Sequence, residues 1–392
     1  MDKSVSIKIS KEALFAITRL EENGFEAFAV GGCVRDCLMQ KTPNDFDVTT
    51  CALPNETLEC FKDMRVIETG IKHGTVTVVV NGENVEITTY RADGEYSDHR
   101  TPDSVVFQET VDKDLSRRDF TMNAICYNPK KGFYDPEHGI EDIKNGIIRA
   151  IGNPVRRFSE DALRIMRAFR FSAQLGFTIE ENTAKAAVSL RVLLKDISVE
   201  RILSELKRAL SAKFATNTAP LLKSGAFKYL GFNFVDFPQH FERFPEDFDI
   251  RFACLCHISG VDPEVVLKNM KSDNITVINT KWYYWLLNQP MPTSKPEIKM
   301  LLKKVTLPSY LEVIFEIYSL SGVNTQKQSV FLKEIIENKE PYLLSMLDIR
   351  GIDIIELGFF GKGISEKLEY LLDEVIKDPT LNQKDKLIEK LK

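Results

Sequence analysis

Residues 27–50 read AFAVGGCVRDCLMQKTPNDFDVTT. The apolar run Ala27–Val30 has the composition of a buried strand. Gly31 and Gly32 follow, then a short helix-like segment carrying Arg35 and Asp36. A Thr-Pro-Asn turn leads into Asp45-Phe46-Asp47-Val48, which alternates as a strand does. Residues i and i+2 of a strand share a face. Asp45 and Asp47 are therefore expected to project together, with Phe46 and Val48 turned into a core.

Two carboxylates on one face repel each other unless a cation separates them. Mg²⁺ suits such oxygen ligands and is commonly held by one or two carboxylates together with substrate phosphates. Glycines at a turn into a helix let backbone N–H groups come close to a phosphate. Arg35 adds a charge-assisted contact to the same group. Taken alone, the Asp pair also reads as a solvated strand edge. Joined to the Gly-Gly turn and Arg35, between two strand-like runs, it points to a metal–nucleotide site for phosphoryl or nucleotidyl transfer.

The order Gly-Gly-x-Val-Arg-Asp, then Pro43-x-Asp45-x-Asp47, resembles the catalytic motif of the polymerase β nucleotidyltransferase superfamily. It looks most like the class II tRNA nucleotidyltransferases, the CCA-adding enzymes, and their bacterial poly(A) polymerase relatives. The resemblance implies an α+β chain. A polymerase β-like head with a mixed β-sheet and helices would span residues 1–147, followed by an all-α neck (148–213), body (214–304) and tRNA-binding tail (305–392). The specific likeness covers about residues 25–210; beyond them it rests on length and helical character.

A chain of 392 residues has room for two to four domains. Its 43% apolar and 28% charged content is that of an ordinary soluble protein. No apolar run approaches a membrane span, and MDKSVSIKIS lacks the apolar core of a signal peptide. Seven scattered cysteines without a C-x-x-C pair fit reduced thiols in the cytoplasm. Cys254, Cys256 and His257 match no common zinc spacing and read as buried or incidental. The net charge of −5 hides a basic stretch: residues 149–213 hold 13 Lys and Arg against 7 Asp and Glu. Such a segment suggests a local polyanion-binding surface; a solvated helical face is the alternative.

Around the opening stretch, Ser10 is placed to cap a helix running to about Asn23, with Leu14, Ile17 and Leu20 at helical spacing. Pro54 opens another helix. Val66–Glu68 and Thr75–Val80 read as strands, and Asn81-Gly82 as a hairpin turn returning through Val85–Arg91. Glu86 shares a face of that strand with Thr88 and Tyr90. It is either an exposed strand residue or a third carboxylate beside the Asp pair, as polymerase β relatives often have. Asp93–Ser104 is polar and resembles the flexible loop of CCA-adding enzymes, with Asp98 and Arg100 as its notable residues. CC-adding relatives characteristically lack this loop, so its presence favours addition of the terminal A.

Asp112–Tyr127 is helical in pattern, which puts Arg118, Thr121 and Met122 on one face. Arg117-Arg118-Asp119 alone reads as a surface ion pair. The run RRDFTMNA matches the family motif RRDFTxNA, and that resemblance implies that Arg118 faces the nucleotide and Asn123 supports the sugar or the site geometry. Phe133–Asp142 resembles a hinge between head and neck, with Gly139 supplying backbone freedom.

Phe158–Leu175, FSEDALRIMRAFRFSAQL, reads as one helix capped by Ser159 and stopped by Gly176. Arg164, Arg167 and Arg170 recur every three residues along it, with Asp161 one turn before Arg164. A carboxylate accepts hydrogen bonds and a guanidinium donates them. Cytosine and adenine both present an amino donor beside a ring-nitrogen acceptor, whereas uracil and guanine reverse this. An Asp–Arg pair thus suits C and A, and a wrong base would leave buried polar groups unpaired. An amphipathic core helix with surface charges is the competing reading. The E-D-x-x-R segment resembles the nucleotide-selecting motif of class II CCA-adding enzymes. That resemblance implies that Asp161 and Arg164 read the base, with Arg167 and Arg170 contacting phosphate or orienting the base-reading pair. Glu200, Arg201 and Glu205, in VERILSELKRAL, are expected to brace the neck. Beyond residue 214 the chain reads as helices joined by polar or Pro-containing turns, with Phe232–Phe248 a packed loop.

The expected activity is template-independent addition of C, C and A to the tRNA 3′ end from CTP and ATP, with Mg²⁺ as cofactor. The expected partners are tRNA and the two nucleotides, without a membrane or an obligatory protein partner. A CC-adding or A-adding enzyme remains the alternative, as does a poly(A) polymerase, against which the lack of a long basic C-terminal extension argues. An inactive RNA-binding relative is disfavoured by the intact Asp pair, and a small-molecule nucleotidyltransferase would not need the long helical half.

Overall fold

A computed structural model describes residues 7–93 and 105–391 of the chain. They form two compact units, divided between Asn233 and Phe234. Asp98 and Arg100, with most of the loop expected around them, lie outside the described residues.

The first unit begins with α1 (Lys11–Glu22). Ser10 caps it, its hydroxyl accepting from the Ala13 N–H at 3.0 Å. Its buried face is Ala13, Ala16, Ile17 and Leu20, while Leu14 is exposed. Burying Leu20 alone contributes about 2 kcal/mol of apolar transfer free energy. Then come β1 (Ala27–Val30), α2 (Gly32–Leu38), β2 (Asp47–Thr50), α3 (Pro54–Cys60), β3 (Val66–Ile67), β4 (Thr75–Val80), β5 (Glu83–Thr89), β6 (Arg91–Asp93) and β7 (Val105–Phe107). After α4 (Val111–Ser116) and a short 3₁₀ turn at Thr121–Asn123, β8 (Cys126–Asn128) and β9 (Gly132–Tyr134) complete a seven-stranded sheet.

The strand order is β3-β4-β5-β2-β1-β8-β9. The sheet is mixed: β2 pairs antiparallel with β1 but parallel with β5, with Asp47 opposite Glu86. A parallel pair needs a crossover, here supplied by α3, β3 and β4. One sheet face carries Val48, Val85, Ile87 and Phe61, with Phe46 and Leu58 packed against them. The other buries Phe28, Val30, Tyr90, Val111 and Leu115. Phe46 and Val48 thus join the core as expected. The strand itself starts at Asp47, leaving Asp45 on the approach to it.

The helix expected over Asp112–Tyr127 stops at Ser116. Its continuation is drawn into backbone pairing with the 149–151 segment: Thr121 N donates to Arg149 O at 3.0 Å and Ile151 N to Asp119 O at 3.3 Å. The Asp119 carboxylate also accepts from the Phe120 N–H at 2.8 Å. Arg118, Thr121 and Met122 therefore do not share one helix face.

The first unit continues with α5 (Gly139–Asn145), β10 (Ile147–Ile148), α6 (Pro154–Glu160), α7 (Leu163–Leu175), β11 (Thr178–Ile179), α8 (Glu181–Ser189), α9 (Val199–Leu210) and α10 (Ala219–Leu222). Gly139 is not a point of freedom. A Cβ there would meet Thr121 O at 2.2 Å, so the glycine lets α5 lie directly on the backbone of the 3₁₀ turn. The single helix expected from Phe158 to Leu175 is two. α6 is capped by Asn153, which accepts from Val155 N and Arg156 N, and it ends where Asp161 adopts extended dihedrals. Ser159 is not a cap; its hydroxyl donates to Val155 O within α6. Gly176 does end α7.

The second unit is helical: α11 (Phe248–Ser259), α12 (Pro263–Asn269), α13 (Asn274–Leu287), α14 (Lys295–Val305), α15 (Pro308–Leu320), α16 (Gln326–Glu337), α17 (Gly351–Glu356), α18 (Lys362–Lys377) and α19 (Lys384–Glu389). The Phe-rich loop before α11 packs inward through Phe234, Phe241 and Phe244. It also covers the fully buried Arg251, whose Nη2 donates to Phe244 O at 2.8 Å. Cys254 and Cys256 are buried and unpaired in α11. Among the described residues no helix is long and apolar enough to cross a membrane.

Candidate active site

β1 delivers the chain into a turn at Gly31, whose φ of 83° is a left-handed conformation that other residues adopt only under strain. Gly31 also leaves room for Arg118, whose Nη1 lies 2.9 Å from where a Cβ would stand and would have to shift to admit one. α2 follows and buries Arg35, whose Nε and Nη2 donate to Asp36 Oδ1 at 2.9 and 2.7 Å. Its Nη1 donates to Asn123 Oδ1 at 2.7 Å. Asn123 in turn donates to Asp119 Oδ1 at 3.0 Å.

These residues line a cavity of about 1020 Å³ together with Asp45, Asp47, Arg118, Asp161, Arg164, Arg167 and Arg170. Asp45, Asp47 and the glycine turn form one wall, and the basic helix α7 another. Every expected site residue except Glu86 is here. Glu86 lines a neighbouring cavity of about 940 Å³, which Asp45 and Asp47 also border.

Burial pushes the Asp47 carboxyl up to about 6; the Arg118 charge opposes this, and Asp45 and Glu86 add to it. A desolvated carboxylate beside two others of the same charge is stabilised by a divalent cation. Among the described residues no three His, Cys, Asp or Glu side chains converge closely enough to hold a metal by themselves. The donor set fits an ion bound by Asp45 and Asp47 and completed by triphosphate oxygens.

The break between α6 and α7 sets the opposite wall. Asp161 Oδ1 accepts from the Leu163 N–H at 3.0 Å and so fastens the start of α7. Asp161 Oδ2 lies 3.8 Å from Arg201 Nη2 of α9. Burial raises the Asp161 carboxyl, against the charges of Arg201 and Arg164. Arg164 does not pair with Asp161. Its Nη1 donates to Glu160 Oε2 and Arg157 O, each at 3.0 Å, and its Nη2 to Arg117 O at 3.1 Å. Arg167 is fixed by Asp119, at 2.8 Å from Nε and 2.7 Å from Nη2. Arg170 forms a buried ion pair with Glu205 at 2.7 Å, and burial lowers it to about 10. Glu205 therefore braces α7 against α9 as expected, and Arg201 of α9 reaches Asp161 at the break between α6 and α7.

The same cavity is lined by Lys41, Asn44, Phe171, Gln174 and Arg208, which sequence reasoning passed over. Phe171 lies under three guanidiniums, those of Arg35, Arg167 and Arg170, at 5.0, 5.3 and 4.0 Å. A signal for Arg208 existed: it stands seven residues after Arg201, two turns along one face of α9.

Residues 27–149 match the family described as the poly A polymerase head domain, and residues 176–231 that described as "Probable RNA and SrmB- binding site of polymerase A". The fold and its pocket thus define a nucleotidyltransferase. The chain is 35% identical to the CCA-adding enzyme of Geobacillus sp. (strain WCH70), over 97% of this chain and 96% of that protein. It is 34% identical to that of Leuconostoc mesenteroides, over 95% and 93%. The crystal structure of Bacillus stearothermophilus CCA-adding enzyme in complex with CTP matches with a TM-score of 0.81 and 31% identity, covering 97% of both chains. The chain belongs to the CCA-adding enzymes, the metal-dependent tRNA nucleotidyltransferases that complete the tRNA 3′ end.

Proposed function

We propose that this chain adds C, C and A in turn to the tRNA 3′ end from CTP and ATP, in the cytoplasm, with Mg²⁺ as its metal and the cavity between the aspartate and arginine walls as its nucleotide site. The observation that carries the reading is that one cavity joins Asp45 and Asp47 to Asp161 and Arg164. The tRNA 3′-oxygen attacks the α-phosphorus of the nucleotide; a new P–O bond forms as the bond to pyrophosphate breaks. Asp45 and Asp47 would hold two Mg²⁺ ions, with Glu86 as a supporting carboxylate. When bound, one would lower the pKa of the attacking hydroxyl and the other would stabilise the departing pyrophosphate.

The chain's own groups do the rest. The Gly31-Gly32 turn admits the triphosphate, and Arg118 and Arg35 bear on it with charge-assisted contacts. Asn123 holds Arg35 in place. Asp161 accepts from the amino group of C or A, and Arg164 donates to the adjacent ring nitrogen. U and G would face each group with its own kind. Arg167 and Arg170, committed to Asp119 and Glu205, orient this wall. We assign residues 1–147 as head, 148–213 as neck, 214–304 as body and 305–392 as tail, the helical half gripping tRNA by shape and charge.

The test is incorporation into three tRNAs, ending before CCA, after C and after CC, each given CTP, ATP, both, or UTP with GTP. Extension of all three to one CCA end supports the proposal. Extension of only the CC-ended tRNA by a single A would make the enzyme A-adding. A product that stops at CC would make it CC-adding, and long A tails would make it a poly(A) polymerase.

A further inference from the structure

Asp114 of α4 is wholly buried, and none of the roles above uses it. Its two oxygens are divided between partners. Oδ1 accepts from Arg117 Nε at 3.0 Å and Nη2 at 2.7 Å. Oδ2 accepts from Arg118 Nη2 at 3.1 Å and from Thr49 Oγ1 at 3.5 Å. Thr49 lies on β2, two residues beyond Asp47. One carboxylate thus ties the strand of the aspartate wall to both arginines that border the nucleotide cavity.

Arg118 has two calls on its charge. One is Asp114, bonded to Nη2. The other is Asp47, whose carboxyl feels the Arg118 charge without a bond to it. Its Nη1 meanwhile occupies the space that Gly31 leaves open. An arginine side chain has many rotamers, and a fixed guanidinium must be held by partners. Without the Asp114 bond, Asp47 is the remaining carboxylate that attracts this guanidinium, and a move towards it draws Arg118 off the glycine turn.

We infer that Asp114 is a positioning residue for nucleotide binding: it acts through Arg118, holding that guanidinium at the glycine turn and apart from Asp47. The inference rests on Arg118 being a nucleotide contact, as proposed above. Asn at position 114 is nearly the same shape. It offers one acceptor oxygen in place of two and turns an amide donor towards a guanidinium, so it cannot serve both arginines.

The test is a double-mutant cycle on the full chain, Asp114→Asn with Arg118→Ala. CTP affinity is measured by calorimetry in Mg²⁺, beside KM, kcat and the melting temperature. Asp114→Asn is expected to weaken CTP binding about tenfold, or 1.4 kcal/mol. Arg118→Ala should weaken it more, and the double variant no further than Arg118→Ala alone. A structural role would lower the melting temperature but leave no such coupling. The inference is overturned if folded Asp114→Asn binds CTP as the parent does, or if its effect is the same with Arg118 absent. Parent-like binding by Arg118→Ala would instead remove the nucleotide role of Arg118, and the inference with it. Should the Asn variant not fold, Asp114→Glu keeps the negative charge between the arginines and carries the same cycle.

Discussion

Arg35 Nη1 donates to Asn123 Oδ1 at 2.7 Å, although 88 residues separate them. The bond fastens the helix after the glycine turn to the 3₁₀ turn at Thr121–Asn123, and Asn123 passes the link on to Asp119 and so to Arg167. Both walls of the cavity are thereby joined through one amide.

Asn123→Ala breaks that chain at its middle. It leaves a buried guanidinium nitrogen without a partner and takes from Asp119 Oδ1 one of its two donors, the Phe120 N–H remaining, a loss of about 1–3 kcal/mol. A thermal melt should register it, and CTP affinity should fall in parallel. Asn123→Asp, which keeps an acceptor for Arg35 but loses the donor to Asp119, should recover only part of the binding.

Asp45→Ala and Asp47→Ala should each reduce nucleotide incorporation by about a thousandfold or more, the scale of losing a principal electrostatic contact to the reacting phosphate. tRNA binding, measured by filter retention at fixed salt, should stay near the parent value. Normal turnover in either variant would refute the metal assignment.

Asp161→Ala should narrow the preference for CTP and ATP over UTP and GTP by about 1–3 kcal/mol, as for other paired base contacts. Arg201→Ala, which removes the charge 3.8 Å from that carboxylate, should weaken selection less. Unchanged rejection of UTP by Asp161→Ala would count decisively against the base-reading role.

Asp119 predicts a pH effect on stability. Burial raises its carboxyl, but the Arg167 charge, hydrogen bonds from Asn123 and Arg167, and the Arg164 charge outweigh burial and bring it to about 2, against 3.8 in the unfolded chain. The folded state therefore releases this proton more readily than the unfolded state. The resulting stabilisation, about 2 kcal/mol, is present above pH 3.8 and is lost as pH falls towards 2. Urea unfolding at stepped pH should show the difference between parent and Asp119→Asn shrinking across that window.

β8 and β9 fell in stretches read as a helix and a hinge, but β1 to β5 of the sheet were legible because their cues are local. The apolar run at Ala27–Val30, the alternation into Val48 and the Asn81-Gly82 turn each fix a strand or hairpin through neighbours in sequence. The helix boundaries after residue 111 were not. Residues 117–127 have helical spacing, but Thr121 N and Asp119 O find backbone partners in the 149–151 segment instead. The break at Asp161 escaped for a related reason, since its carboxylate holds the Leu163 N–H in place of a helical carbonyl. Of the site, the residues in dense motifs could be read. Lys41 and Gln174 reach the cavity only through the packing of α2 and α7, which no short pattern records.

Gly31 and Arg118 have a consequence for how this site can change. The guanidinium occupies the room that a side chain at position 31 would need. A larger residue at 31 must displace that guanidinium, and it is strained at φ 83° even when it does. Shortening position 118 therefore makes room without rescuing the backbone, and it gives up the charge beside the glycine turn. A library varying both positions together should return glycine at 31 as firmly as one varying 31 alone.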